Sequence, residues 1–172
     1  MKIIEALKLI KELKTKAEDL RKKVKEHAAD LDFETPVYPD QKKQIREWIQ
    51  AHSDVLKEIL KLRTQIQATN LAVDVDIQLN GKTVTKSIAA WIHRRRDLAG
   101  DELTMWSSLT DKGLKEGMVL NSTTPGVPPT PVKIRRYYDP TERDANMELF
   151  RSEPGIIDRT LEVVNATTPI LE

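Results

Sequence analysis

Two short basic stretches are where this sequence comes nearest to chemistry. "HRRRD" places Arg94, Arg95 and Arg96 in succession, and "KIRRYY" sets Lys133, Arg135 and Arg136 beside Tyr137 and Tyr138. A guanidinium fork matches paired phosphate or carboxylate oxygens, and arginine next to a stackable ring is the composition of nucleotide and single-strand sites. These six cations are therefore the candidates for holding an anionic partner. Each stretch also has a plainer reading. The arginine triplet suits a solvated helix face paired with Asp97, Asp101 and Glu102, and the tyrosine pair suits packing against a neighbouring hairpin.

Other reactive groups are sparse. Cysteine is absent, which excludes thiolate nucleophiles, disulfides and thiolate zinc sites. Of the three histidines, His27 and His52 fall at apolar seam positions. There an imidazole caps a layer and bonds a polar neighbour or water. "AHSDV" puts His52, Ser53 and Asp54 in consecutive positions, which on a helix point three ways and cannot form a triad. His93 and Asp97, four apart, supply two metal ligands without a third. There is no Gly-rich phosphate loop and no nucleophile motif. The sequence predicts no catalytic residue, no metal and no cofactor.

The elements that position these residues show in the periodicity. Ile3, Ile10, Ala17, Val24 and Leu31 recur every seven residues, with Ala6, Leu13, Leu20 and His27 three places on. This is the a/d seam of a coiled coil. Pro36 and Pro39 break it, and Asp40 is placed to cap a second helix. That helix repeats the pattern at Ile45, His52, Ile59 and Ile66, beside Trp48, Val55, Leu62 and Thr69. Two helices of about 30 residues, each roughly 45 Å long, predict an antiparallel hairpin over 1–71. Leu7, Leu9, Leu56 and Leu60 lie off the seam, so a third helix or a second subunit is expected against them.

Over 72–86 the period becomes two. Val73, Val75, Ile77 and Leu79 alternate with polar residues up to Asn80-Gly81, the pair that suits a type I′ turn, which predicts a β-hairpin. A third helix follows over 87–112. Ser87 stands at its cap, and Ile88, Trp91, Ile92, Leu98, Met105, Trp106 and Leu109 form its apolar face. The segment 113–140 holds Pro125, Pro128, Pro129 and Pro131 and reads as an extended connector, with a short strand in "VKIRRYY". Residues 141–172 give one or two short helices, the last opened by Pro154 at its first turn, then a tail. Asn70 and Asn165 stand in similar phrases, "QATNLAV" and "EVVNATT". Each predicts a helix ended by asparagine in the left-handed conformation, the two exits side by side and the tail "TTPILE" pairing near the hairpin. The expectation is a mainly α, single compact domain.

The totals agree. Lys plus Arg number 28 against 27 Asp plus Glu, a net charge of +1, so the chain is not built mainly to coat nucleic acid or an anionic membrane. Charged residues make up 32% and aromatics 5%, a balance suited to long exposed helices. No apolar run approaches the roughly 20 residues that span a bilayer, and the charged opening "MKIIEALKLIKELK" is not a secretion signal. Asn121 and Asn165 head Asn-x-Ser/Thr triplets, read as ordinary polar residues in an intracellular chain.

Taken in order, several segments resemble the small bacterial and phage-borne proteins known as septicolysins. They are "MKIIEAL", the paired heptads, "ATN" leading to "NGKTVT", "IHRRRDLAG", "VKIRRYYDP" and "IDRTLEVVNATTPILE". The resemblance runs almost end to end and implies a helical-hairpin fold of unsettled function, with no active-site residue to carry over. The long proline-rich loop and Trp48, Trp91 and Trp106 set this chain apart from the shorter relatives. A cytolytic role would need a segment able to leave water, and the heptad helices are too densely charged for that. The expected function is a non-enzymatic structural or assembly protein. It would act as a homo-oligomer or as a subunit of a larger particle, through its helical faces and the proline-rich loop. Its place would be the cytoplasm, or a virion if phage-encoded. The alternative is a nucleic-acid or nucleotide-binding module using the arginine patches.

Overall fold

The computed structural model describes residues 1–119 and 123–172; Leu120, Asn121 and Ser122 lie outside the described residues. The chain is mainly helical with two small β-hairpins. It divides into two compact units. One holds Met1–Val75, Lys86–Ala89 and Arg159–Glu172, the other Asp76–Thr85 and Ala90–Asp158.

The first unit is built on α1 (Ile3–His27) and α2 (Gln41–Ala72). Their buried residues are the expected heptad positions: Ile3, Ala6, Ile10, Leu13, Ala17 and Leu20 on α1, and Trp48, Val55, Ile59, Leu62, Ile66 and Thr69 on α2. The helices run antiparallel. The His27 and Trp48 rings stand 5.6 Å apart at one end, and Leu9 and Leu62 line a common hollow at the other. As expected, Asp40 caps α2, accepting the Lys43 N–H at 2.9 Å. Leu31 was expected to continue the seam, but α1 stops at His27 and Leu31 is exposed.

Neither asparagine ends its helix. α2 continues past Asn70 to Ala72, and the helix through Asn165 continues to Thr167. Val73 explains the first case. Its amide still reaches the Thr69 carbonyl at 3.0 Å while its own φ and ψ, −96° and 119°, are already extended. A β-branched residue accepts that conformation readily, so no left-handed step is required. The two exits do lie side by side, since the Leu171 amide donates to the Thr69 hydroxyl at 2.9 Å. The tail pairs with the opening of the chain, however, and not with the hairpin. Ile3 N–H reaches Thr168 O at 3.0 Å, and Ile170 N–H reaches Met1 O at 2.9 Å.

β1 (Asp74–Leu79) and β2 (Lys82–Ser87) form the predicted hairpin, with Asn80 at φ 50° and Gly81 at φ 73° making the turn. α3 (Ile88–His93) then leads through a π-helical turn, Arg94–Leu98, into α4 (Ala99–Ser107). The π turn changes which residues are buried. Trp91, Leu98 and Met105 share a heptad spacing, yet Leu98 and Met105 are exposed, while Ala99 is buried and Trp106 half-buried. A π turn takes in one extra residue, so every later side chain is turned back by about 100°. The row therefore runs 91, 99, 106.

The third helix was expected to reach 112 but ends at Ser107. The Ser107 and Ser108 hydroxyls both donate to the Thr104 carbonyl, at 2.8 and 2.9 Å, in competition with the next helical amides. Within the proline-rich segment, β3 (Gly117–Val119) pairs antiparallel with β4 (Thr130–Val132). The strand thus ends at Val132, the first residue of "VKIRRYY", which was expected to carry it. The Ile134 amide turns to the Glu116 carboxylate at 3.1 Å, leaving the ladder only three residues long.

α5 (Pro140–Thr167) is one helix where one or two short ones were expected, with Pro154 in its interior. Glu153, Ile157 and Leu161, four apart, form one buried face that continues through the proline. Burial of that face offsets the roughly 3 kcal/mol that an interior proline costs. Residues 140–158 belong to the second unit and 159–167 to the first.

Candidate functional site

The arginine triplet sits at the π turn, and its charges are turned toward carboxylates. Arg94 forms a two-pronged pair with Glu153, Nε to Oε1 at 2.6 Å and Nη2 to Oε2 at 2.8 Å. Glu102 lies 3.6 Å from Nη1, and the guanidinium stands over the Phe150 ring at 5.5 Å. The hydrogen bonds it donates to Glu153 hold Arg94 above its ordinary pKa. Arg95 donates to Asp158 at 2.6 Å. Arg96 contacts Asp97 at 3.3 Å and the His93 Nδ1 at 2.9 Å. Pairing with Asp97, Asp101 and Glu102 was expected; Asp97 and Glu102 do pair, and among the described residues Asp101 makes no ion pair with the triplet. The closer partners Glu153 and Asp158 come from 59 and 63 residues along the chain, a distance over which no spacing rule operates.

The second basic stretch is different. Residues 108–112 with Leu114, and residues 134–138, enclose a cleft of about 340 Å³. Its fixed wall is Asp111, which accepts from Arg136 Nε at 2.7 Å and Nη2 at 2.5 Å, and from the Tyr138 hydroxyl at 3.0 Å. Arg143 ties this wall to the end of α4. It donates to the Leu109 carbonyl at 3.0 Å, and its guanidinium stands 5.5 Å from the Tyr138 ring centre. The Arg136 hydrogen bonds, then that of Tyr138, hold the Asp111 carboxyl below the usual carboxylate range, and Asp111 in turn raises Arg136.

The other cations of the lining are not paired in this way. Among the described residues neither the Lys112 ammonium nor the Arg135 guanidinium has a carboxylate within ion-pair distance, and neither has Lys133, which lies outside the cleft lining. Tyr137 does not pack on a hairpin, as the tyrosine pair was expected to; it is 89% exposed at the cleft rim. Lys112 is the residue that sequence reasoning missed. It sits at φ 55°, followed by Gly113 at φ 72°, with the Leu114 amide returning to the Asp111 carbonyl at 2.9 Å. An Asp-x-Gly triplet after a helix is a signal of such a turn, and a left-handed lysine is uncommon.

Among the described residues no three His, Asp or Glu side chains converge to hold a metal ion, and no helix is long and apolar enough to cross a membrane. The chain matches no family model, no curated protein and no solved structure.

Proposed function

We propose that the protein is a non-enzymatic assembly component in which α1 and α2, a coiled-coil-like pair, present their outer face to a second copy of the chain. One observation carries this reading. Off the buried seam, Leu7, Ile49, Leu56 and Leu60 remain 46%, 54%, 49% and 65% exposed. Residues 49, 56 and 60 follow one another at the spacing of an apolar helical stripe, the pattern that another helix fills. Isolated apolar side chains on a surface need no partner, whereas a row of three along one helix, spanning roughly 17 Å, is a surface for association. A twofold-related copy would set stripe against stripe and convert two hairpins into a four-helix bundle.

The proline-rich segment offers a second contact, since Met118, Val119, Val127 and Val132 are exposed along it. In a larger particle, of which a virion is the special case suggested by the septicolysin resemblance, the same two surfaces would meet different subunits. The experiment is sedimentation of wild type beside Leu56→Glu/Leu60→Glu. Both positions are exposed, so the variant keeps its helical circular dichroism. A wild-type oligomer that the variant dissolves supports the reading. An unchanged sedimentation coefficient contradicts it.

A further inference from the structure

Assembly leaves the cleft at residues 108–114 and 134–138 without a role, and we infer that it binds a nucleotide, with phosphate on Lys112 and Arg135 and the base on Tyr137. The charge balance comes first. The lining carries Lys112, Arg135 and Arg136 against Asp111 alone, and Asp111 is already engaged by Arg136 and Tyr138. Two cations of the lining therefore lack a counter-anion among the described residues. In a chain whose arginine triplet is matched to carboxylates one by one, that surplus marks a place for an external anion.

The shape and the remaining lining narrow the ligand. A volume of about 340 Å³ lies at the small end of ligand pockets, enough for one nucleotide unit and too little for two. Leu109, Leu114 and Ile134 supply apolar walls that a bare inorganic anion would not use. The Tyr137 ring is solvent-facing and lines the same cleft as Arg135, which suits a stacked base with its phosphate on a nearby charge. The arrangement is also pre-set. Asp111, Arg136, Tyr138 and Arg143 lock the two loops together, and Lys112 is held in a strained left-handed conformation, a type of outlier that clusters at binding sites. The nucleotide comes either free or as one unit of a single strand; the chemistry recognised is the same.

Fluorescence anisotropy and heteronuclear NMR of the full chain with adenosine monophosphate, inorganic phosphate and a ten-residue single-stranded oligonucleotide test this. Saturable binding of the monophosphate is expected, about fivefold or more tighter than phosphate, the lower end of what one stacked base contributes. Lys112→Ala/Arg135→Ala weakens it about tenfold or more, and Tyr137→Leu removes the advantage over phosphate. All three side chains are exposed, so the variants fold. An oligonucleotide that binds tighter than the monophosphate, and loosens steeply with salt, identifies a strand as the source; equal affinity identifies the free nucleotide. No saturable binding of either at millimolar concentration overturns the inference. So does binding indifferent to the Lys112 and Arg135 substitutions.

Discussion

The Leu171 amide donates to the Thr69 hydroxyl at 2.9 Å, joining two residues 102 positions apart. Thr69 is fully buried and donates its own hydroxyl hydrogen bond to the Gln65 carbonyl at 2.8 Å. Its hydroxyl thus links the tail to the last turn of α2. Replacing it by the isosteric Thr69→Val leaves the Leu171 amide unpartnered and costs about 1–2 kcal/mol. Thermal unfolding should show a midpoint lower by a few degrees, and amide exchange at Leu171 should rise sharply. An unchanged exchange rate would show that the contact is not held in solution.

At the π turn the prediction concerns a buried ion pair. Glu153 is nearly inaccessible and Arg94 mostly covered, so Glu153→Ala strands a guanidinium away from full solvation and should cost about 3 kcal/mol. Arg94→Met/Glu153→Leu removes both charges and should cost much less. Denaturant titrations of both variants and the wild type measure this. Equal losses for the single and double variants would mean that packing, and not charge, governs the site.

The extra residue of the π turn has its own signature. Leu98→Gln and Met105→Gln should each change stability by no more than about 0.5 kcal/mol, because both side chains face solvent. Ala99→Leu, which forces three more carbons into a closed space, should cost about 1–3 kcal/mol. The reverse ranking is the one a straight α-helix would give.

Asp111 provides a pH test. Its folded value lies below that of a free aspartate, about 3.9. The contact therefore contributes fully above that value and is lost as pH falls through the lower folded one. The Asp111 side-chain carboxyl carbon should titrate with a midpoint below 3.9 or so, and in Arg136→Gln it should move back up. A wild-type midpoint at or above the free value would contradict the geometry of the cleft wall.

The legible parts of this molecule are those set by short-range periodicity. Every residue buried along α1 and α2 was a seam position, since a heptad and a helical face are the same fact, and Asn80-Gly81 fixed its turn by allowing two positive φ values. What could not be read depends on partners distant in the chain. Pro154 gave an N-terminal signal, but the burial of Glu153, Ile157 and Leu161 carried the helix through it. The π turn has no sequence mark of its own, and it left Leu98 and Met105 of the expected apolar face exposed. The basic stretches were both legible as charge, while their difference was not. Glu153 and Asp158 answer Arg94 and Arg95, and no carboxylate among the described residues answers Lys112 or Arg135.

The measurement that tests the central claim most directly is the absolute molar mass of the purified protein by light scattering, with the ultraviolet absorbance ratio taken on the same peak. The assembly reading predicts a mass at a whole multiple of 19.7 kDa, falling toward the single-chain value in Leu56→Glu/Leu60→Glu. A wild-type mass of 19.7 kDa at every concentration would contradict it.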